Sequence, residues 1–304
     1  ERVIGVDNLN DYYDVTLKEA RRDRLLRHNA FSFEHTDIAD KDAIEGLGAK
    51  HSEITHVISL AAQAGVRYSL ENPYAYVHSN LLGQIVMLEL CRRLENLEHF
   101  VYASSSSVYG GNKKIPFSVE DRTDSPISLY AATKKADEHM SHCYSHLYDI
   151  PATGLRFFTV YGPWGRPDMA AYIFTRAIAE GRPIQLFNNG DMKRDFTYID
   201  DIVQGILGCL DRPPVKIGDD APHRLYNLGN HRSEPLKRFV EILEREVGKT
   251  AIIENAPMQM GDVKETYADI DAAQRDFGFT PKVSIDEGLP RFVAWYRDHH
   301  GITD

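Results

Sequence analysis

Tyr130 and Lys134 stand four residues apart in Tyr130-Ala131-Ala132-Thr133-Lys134. On a helix this spacing puts a phenol and an ammonium on one face. A cation beside a phenol favours the phenolate. A phenolate can take the proton of an alcohol while hydride leaves the same carbon. The bland reading is an ordinary helix pair, so the surroundings decide. Upstream lies Ser104-Ser105-Ser106-Ser107-Val108-Tyr109-Gly110, directly after the apolar segment His99 to Ser104. A serine at a strand's carboxyl end can hydrogen-bond the reacting oxygen beside the tyrosine; the alternative is a turn or helix cap. Asp7 also closes a short apolar segment, where a dinucleotide-binding fold sets an acid on a ribose. The alternative for Asp7-Asn8-Leu9-Asn10 is a plain turn.

These groups need a scaffold that brings strand ends together. Strands and helices alternate along the chain, which predicts an α/β fold with a mostly parallel sheet. Strands are expected at Arg2 to Asp7, Phe31 to Thr36, Thr55 to Leu60, His99 to Ser104 and Ala152 to Phe158. Helices are expected over 16–28, from Pro73 to about Leu94, over 128–148 and over 286–299. Residues 1–160 read as a Rossmann-type doubly wound domain. Residues 161–304, richer in Pro and Gly, read as a smaller C-terminal substrate-binding lobe, with 195–230 returning to the first domain. Only six residues precede Asp7, too few for the first strand and its Gly-rich turn. The expectation is that both lie upstream, within roughly 30 further residues, and that without them a dinucleotide pyrophosphate is held poorly.

Composition narrows the partners. With 42% hydrophobic and 26% charged residues, the 304-residue chain is an ordinary globular sequence. A formal net charge of −10 argues against nucleic acid and anionic membrane surfaces. It leaves room for a small anionic substrate held by a few local arginines. Cys91, Cys143 and Cys209 fit no disulfide or metal spacing and read as reduced thiols of a cytoplasmic protein. No apolar run reaches the length of a membrane span.

Taken together, these landmarks resemble the extended short-chain dehydrogenase/reductase family, among its NAD-dependent nucleotide-sugar epimerases and dehydratases. The resemblance rests on Gly5 to Asn8, Asp37-Ile38, Leu60-Ala61-Ala62-Gln63-Ala64, Asn80, the serine run and Tyr130 to Lys134. It continues through Arg156-Phe157-Phe158-Thr159-Val160-Tyr161-Gly162-Pro163 and Arg194 to Asp201. It implies an isomerase using NAD on a UDP-sugar, with Ser105, Tyr130 and Lys134 catalytic. It implies that Asp7 and Asn8 meet the adenosine ribose and that Asp37 and Ile38 meet the adenine. Leu60, Ala61, Ala62, Gln63, Asn80 and Phe157 would flank the cofactor, and Tyr130 and Lys134 would reach the nicotinamide ribose. A carboxylate at Asp7 accepts from both ribose hydroxyls and repels a 2′-phosphate, which favours NAD over NADP. Arg194 is similar to the family arginine on the UDP phosphates, and Ile184 to Phe187, with Gln185, to the strand along uridine. Arg67, Arg166 and Arg182 are further candidates for the anionic substrate, and Asp262 for the uridine ribose. Gln259 stands where galactose epimerases often carry a second phosphate-binding arginine. The resemblance also implies a homodimer, with Ile85, Leu88, Leu90 and Leu94 serving either its helical interface or the core.

Three chemistries in such a family share an oxidised sugar. Dehydratases usually place Asp-Glu in the serine segment, and uronate decarboxylases a glutamate just before Val-Tyr-Gly. Here those places hold Ser106 and Ser107. Serine cannot replace a carboxylic acid in elimination, so epimerisation is favoured. Thr159 stands where galactose epimerases usually have asparagine. The run Gly162 to Ala170 resembles that of the members acting on UDP-glucuronate. The expected reaction is therefore C4 epimerisation of UDP-glucuronate to UDP-galacturonate through a 4-keto sugar. Such a keto acid decarboxylates when its carboxylate bond aligns with the carbonyl π-system, and Thr159, Ser105 and Ser106 are candidates to prevent that. The rivals are another nucleotide-sugar enzyme of the family and a catalytically silent nucleotide-binding member.

Overall fold

A computed structural model describes residues 1–259 and 262–302. The chain opens with β1 (Val3–Asp7), α1 (Val15–Leu25), β2 (Phe31–His35), α2 (Lys41–Lys50) and β3 (His56–Ser59). Single turns α3 (Tyr68–Glu71) and α4 (Pro73–Tyr76) lead through a π-helical turn, Val77–Leu82, into α5 (Gly83–Arg93). Next come β4 (His99–Ser105), a 3₁₀ turn (Ser106–Tyr109), α6 (Leu129–Tyr148), β5 (Ala152–Phe157) and β6 (Thr159–Tyr161). Then follow α7 (Ala170–Glu180), β7 (Pro183–Phe187), β8 (Lys193–Arg194), β9 (Phe196–Tyr198), α8 (Ile199–Leu210) and β10 (His223–Leu228). The chain ends with β11 (Glu234–Pro235), α9 (Leu236–Val247), β12 (Ile252–Ala256), α10 (Asp271–Phe277) and α11 (Ile285–His299).

Two compact units emerge. Unit 1 comprises Glu1–Gly110, Thr123–Leu155 and Leu210–Leu225, and unit 2 comprises Gly111–Arg122, Arg156–Cys209 and the chain from Tyr226 onward. Unit 1 is a Rossmann-type α/β body. β1 and β2 run parallel, with Val3 opposite Phe31 and Asp7 opposite His35. β3 and β4 run parallel, with His56 opposite His99, at one side of a sheet ordered β10-β5-β4-β3. Among the described residues β1 pairs only with β2, and β3 only with β4.

Unit 2 carries the parallel pairs β6–β9 and β7–β12, and β8 lies antiparallel to β11. The sequence expectation sent 195–230 back to the first domain. In the structure Phe196–Tyr198 pairs with Thr159–Tyr161, so β9 belongs to unit 2, and only Leu210–Leu225 returns. Unit 2 is also more regular than its Pro and Gly content suggested, since α7, α9, α10 and α11 all lie in it.

The elements that carry the chemistry form for local reasons. β4 is buried almost throughout, and its apolar run supplies Phe100, Val101 and Tyr102 at 0% exposure before delivering serines at its end. Strands covered on both faces read as continuous apolar runs. α6 begins at Ser128, whose hydroxyl accepts the Ala131 N–H at 3.1 Å. Such a cap contributes about 1 kcal/mol. The helix ends at Asp149 in the left-handed region, φ 55°, with Pro151 soon after. Its buried face is polar: Thr133, Lys134, Asp137, Glu138, Ser141 and Ser145. The helix expected over 73–94 is interrupted by the π-turn, which the apolar pattern alone did not show. Leu88, Leu90 and Leu94 lie in the unit 1 core with Ile44, Phe100 and Tyr102, so these three are core rather than interface residues. Among the described residues no helix is long and apolar enough to cross a membrane.

Candidate active site

In unit 1, α6 and the end of β4 bring the sequence candidates together. Lys134 is 4% exposed, and its ammonium donates to the Ala103 carbonyl at 3.0 Å and to Asp137 Oδ2 at 3.0 Å. The lysine thereby ties the helix bearing Tyr130 to the strand residue just before the serines. Tyr130 is half-buried, with its ring edge-on to Tyr76 at 6.1 Å. Ser105 caps the 3₁₀ turn: its hydroxyl accepts the Ser107 N–H at 3.2 Å and also bonds the Ser107 hydroxyl. The capping role expected as the alternative is therefore real, and it fixes where the serine oxygens sit. Ser106 and Ser107 are half-buried within the turn. Ser104 faces away from this group and donates to buried Glu138 at 2.7 Å.

The cofactor candidates fall into two sets within unit 1. Asp7 is exposed at the end of β1, and one of its oxygens accepts the Leu9 N–H at 2.7 Å. Asp37 follows β2 and accepts from the Asn8 amide at 2.9 Å and the Ala39 N–H at 2.8 Å. Against the upward pull of partial burial, those donors and His78 hold the Asp37 carboxyl below the usual carboxylate range. Ile38 packs on Gly83 at the start of α5, where an added Cβ would meet its side chain at 2.7 Å. Asp7, Asn8, Asp37 and Ile38 thus form one ledge at the ends of β1 and β2.

The second set follows β3. Leu60 is 50% exposed, Ala61 is exposed and Ala62 half-buried, an apolar strip left open to solvent. Gln63 is buried, and its backbone is clamped by Asn80: the Asn80 Oδ1 accepts the Gln63 N–H at 2.8 Å and its amide donates to the Gln63 carbonyl at 3.1 Å. The same amide donates to Thr133 on α6 at 2.9 Å. Asn80 is 2% exposed and sits in the π-turn. Its side chain bonds inside the protein and ties the 60–63 strip to α6. π-Turns recur where one side chain must be swung off the helical lattice, often at functional sites. The residues at hand fit a dinucleotide's two ends: an exposed acid for one ribose, and an apolar strip beside Tyr130 for the ring.

Unit 2 holds the substrate candidates in separate places. Thr159 and Arg166 line one small cleft together with Gly162, Met169 and Tyr172. Thr159 is half-buried, and its N–H donates to the Asp195 carbonyl at 3.2 Å. Arg166 is gripped by Asp168 through two bonds of 2.9 and 2.8 Å. Arg194 sits apart from that cleft's lining, donating to the Lys264 carbonyl at 3.2 Å, two residues from Asp262. Arg182 is exposed and bound to Glu180, and Gln185 is exposed on β7. Phe157 is half-buried in β5. Arg67, in unit 1, is exposed.

Two acids that sequence reading gave no role emerge here. Asp195, 0% exposed, accepts the N–H groups of Asn230 and Ala268, the latter at 3.0 Å. It thereby ties two segments of unit 2 to the residue that bonds Thr159. Burial pushes its carboxyl up to about 6, opposed by those N–H donors. Asp137 sits on Lys134, as described above. Its only sequence signal was its place three residues after the lysine.

Comparisons with known proteins place the chain in a family. A family model described as the NAD dependent epimerase/dehydratase family matches residues 1–229. The chain is 48% identical to UDP-glucuronate 4-epimerase 1 of Arabidopsis thaliana, over 99% of this chain and 72% of that protein. It is 48% identical to a probable UDP-glucuronate 4-epimerase of Rhizobium meliloti, over 98% of this chain and 90% of that protein. Among solved structures it is similar to UDP-glucuronic acid 4-epimerase from Bacillus cereus in complex with UDP-glucuronic acid and NAD. That match has a TM-score of 0.89 and 31% identity, over 98% of this chain and 91% of that chain.

Proposed function

The chain belongs to the NAD dependent epimerase/dehydratase family, and from this we propose that it is an isomerase that inverts C4 of UDP-glucuronate to give UDP-galacturonate. The observation that carries the reading is the end of β4. Lys134 bonds the Ala103 carbonyl at 3.0 Å, so a phenol and its cation are anchored beside a turn that offers hydroxyls and no carboxylate. That set can move one proton reversibly and lacks the acid that elimination needs. The relatives named above support the uronate substrate.

NAD, when bound, would supply reversible hydride transfer at C4 of the sugar. Asp7 and Asn8 would hold its adenosine ribose, Asp37 and Ile38 the adenine, and the Leu60 to Gln63 strip its nicotinamide end. Tyr130 takes the proton of the 4-hydroxyl and later gives it back. Lys134 stabilises the phenolate in between. Ser105 donates to the same oxygen and holds it in place. Arg194 and Asp262 of unit 2 suit the UDP group, one as a cation for phosphate and one as an acceptor for ribose hydroxyls. Arg166, Arg182, Gln185 and Arg67 stand as further contacts for the nucleotide sugar. Thr159 suits the uronate carboxylate, because its hydroxyl is an uncharged donor and the residue shares a cleft lining with Arg166. We also read the protein as a cytoplasmic homodimer, with its cysteines free.

The test is incubation with UDP-glucuronate, UDP-glucose and a UDP-N-acetylhexosamine, with products separated by chromatography. UDP-galacturonate should form, and Tyr130→Phe should abolish it while UDP-sugar affinity stays within about two-fold of wild type. Preferred turnover of a neutral sugar would sink the substrate assignment. More than a tenth of normal activity in Tyr130→Phe would sink the role of the phenol.

A further inference from the structure

α6 buries two neighbouring acids, and their bonding differs. Glu138 is satisfied at both oxygens: Oε1 accepts from Ser104 at 2.7 Å and Oε2 from Lys135 at 3.0 Å. Asp137 is 1% exposed, and only Oδ2 has a partner, the Lys134 ammonium at 3.0 Å. Its Oδ1 is buried with no hydrogen bond. A half-satisfied buried carboxylate is unfavourable for stability and calls for another reason to be there. Among the described residues its one hydrogen-bond partner is the lysine of the proton-transfer pair.

We propose that Asp137 is a positioning residue for the reaction, holding the Lys134 ammonium with the Ala103 carbonyl and setting how much positive charge Lys134 presents to Tyr130. The inference rests on the epimerase reading given above. An ammonium favours a phenolate over a phenol, and a phenolate favoured too far is a poor base. A carboxylate one turn further along the helix offsets part of that charge, and a phenol that must both take and return a proton gains from the balance. The charges acting on Asp137 are Lys134 and Glu138, both on its own helix. Neighbouring elements hold against this face the Ala103 carbonyl and Ser104 on β4, Gln84 on α5 and Asn80 in the π-turn. They add one titratable group, His223 on β10, which acts on Glu138 and His142. Burial pushes its imidazole down to about 4, so it is neutral above that pH. Burial raises the Asp137 carboxyl to about 6, with Lys134 pulling it down and Glu138 pushing it up. The offset is therefore present above that pH and fades below it.

Asp137→Asn keeps the shape and the acceptor and removes the charge. Asp137 lies seven residues, or about 10 Å of helix rise, from Tyr130. A unit charge at that distance, at an effective dielectric of about 20, moves a titration by about one pH unit. Removing an anion lowers the proton affinity of the Tyr130–Lys134 pair as a whole. The acid-side fall of kcat should thus move to lower pH by about one unit in the NAD-loaded enzyme. A second measurement does not depend on turnover: the phenolate absorbance of Tyr130, obtained by subtracting the Tyr130→Phe titration in the wild-type and the Asp137→Asn backgrounds. It should shift the same way. If wild-type protein turns over no UDP-glucuronate, the substrate reading fails, and the absorbance titration still decides this proposal. Should Asp137→Asn fail to fold, Asp137→Ser removes the same charge and is read in the same way. A phenolate titration that stays put, or moves to higher pH, overturns the proposal; a change in Tm alone, with both profiles unmoved, does so too.

Discussion

Gly110→Ala should damage the site through the backbone. Gly110 ends the 3₁₀ turn that carries Ser106 and Ser107, and its N–H donates to the Ser107 carbonyl at 3.0 Å. Its backbone sits at φ 57°, ψ −131°, a region that residues with a Cβ rarely enter. An added Cβ would also collide with the Ser125 carbonyl oxygen and come within 3.6 Å of Pro126 Cα. The strained conformation costs about 1–3 kcal/mol. Overpacking against backbone, which cannot rotate away, costs about 1–3 kcal/mol more. Partial relaxation of the turn leaves a net loss of about 3 kcal/mol. Unfolding entropy of about 2.1 cal/mol/K per residue over a chain of this length turns that into about 5 °C of Tm. Gly248→Ala is the control. Gly248 has φ 76° at the end of α9, with nothing within 4 Å of an added Cβ. It should lose only about 1 kcal/mol, or about 2 °C. The assay is calorimetric melting of the three proteins, with turnover measured well below every Tm. Gly110→Ala should also lose turnover by about ten-fold or more, because relaxing the clash displaces the serine hydroxyls. A Tm drop no larger than that of Gly248→Ala would refute the reasoning.

Thr159→Ala removes a donor that suits the uronate carboxylate. A hydrogen bond to a charged group is worth about 1.5–3 kcal/mol, or roughly one to two orders of magnitude in orientation. The variant should release UDP-4-keto-pentose and CO₂ beside the epimer, as read by mass spectrometry. If it makes no more of these than wild type, the guard must be sought among Ser105 to Ser107. Light scattering at micromolar protein should give twice the chain mass. With Leu88, Leu90 and Leu94 in the core, the proposed joining surface would use half-buried Ile85 and exposed apolar residues of the same two helical stretches, Val77, Leu82, Leu147 and Tyr148. A Leu147→Asp variant should shift the mass toward the monomer, and a wild-type monomer would contradict the dimer outright.

The sequence by itself determined the parallel α/β character of unit 1, because strand cores such as Phe100 to Tyr102 are continuous apolar runs and Ser128 and Pro151 bracket α6. It also determined the pairing of Tyr130 with Lys134, since a spacing of four fixes a shared helical face whatever the fold. It placed Asp7 and Asp37 at strand ends, because an acid after an apolar run marks where a strand leaves the core. What lay beyond it depended on groups far apart in the chain. Nothing in the pattern from Pro73 to Leu94 announces a π-turn, because the turn is stabilised by Asn80 reaching Gln63 and Thr133, contacts 17 and 53 residues away. The sequence could not choose between core and interface for Leu88 and Leu90, since both burials produce the same apolar periodicity. Nor could it single out Asp137 from the surface charges of a helix rich in Lys, Glu and His. That required seeing the carboxylate buried, with Lys134 as its one hydrogen-bond partner among the described residues. Spacing along one element is set by local geometry and can be read from the chain; desolvation is set by what packs on top, and only the tertiary structure decides it.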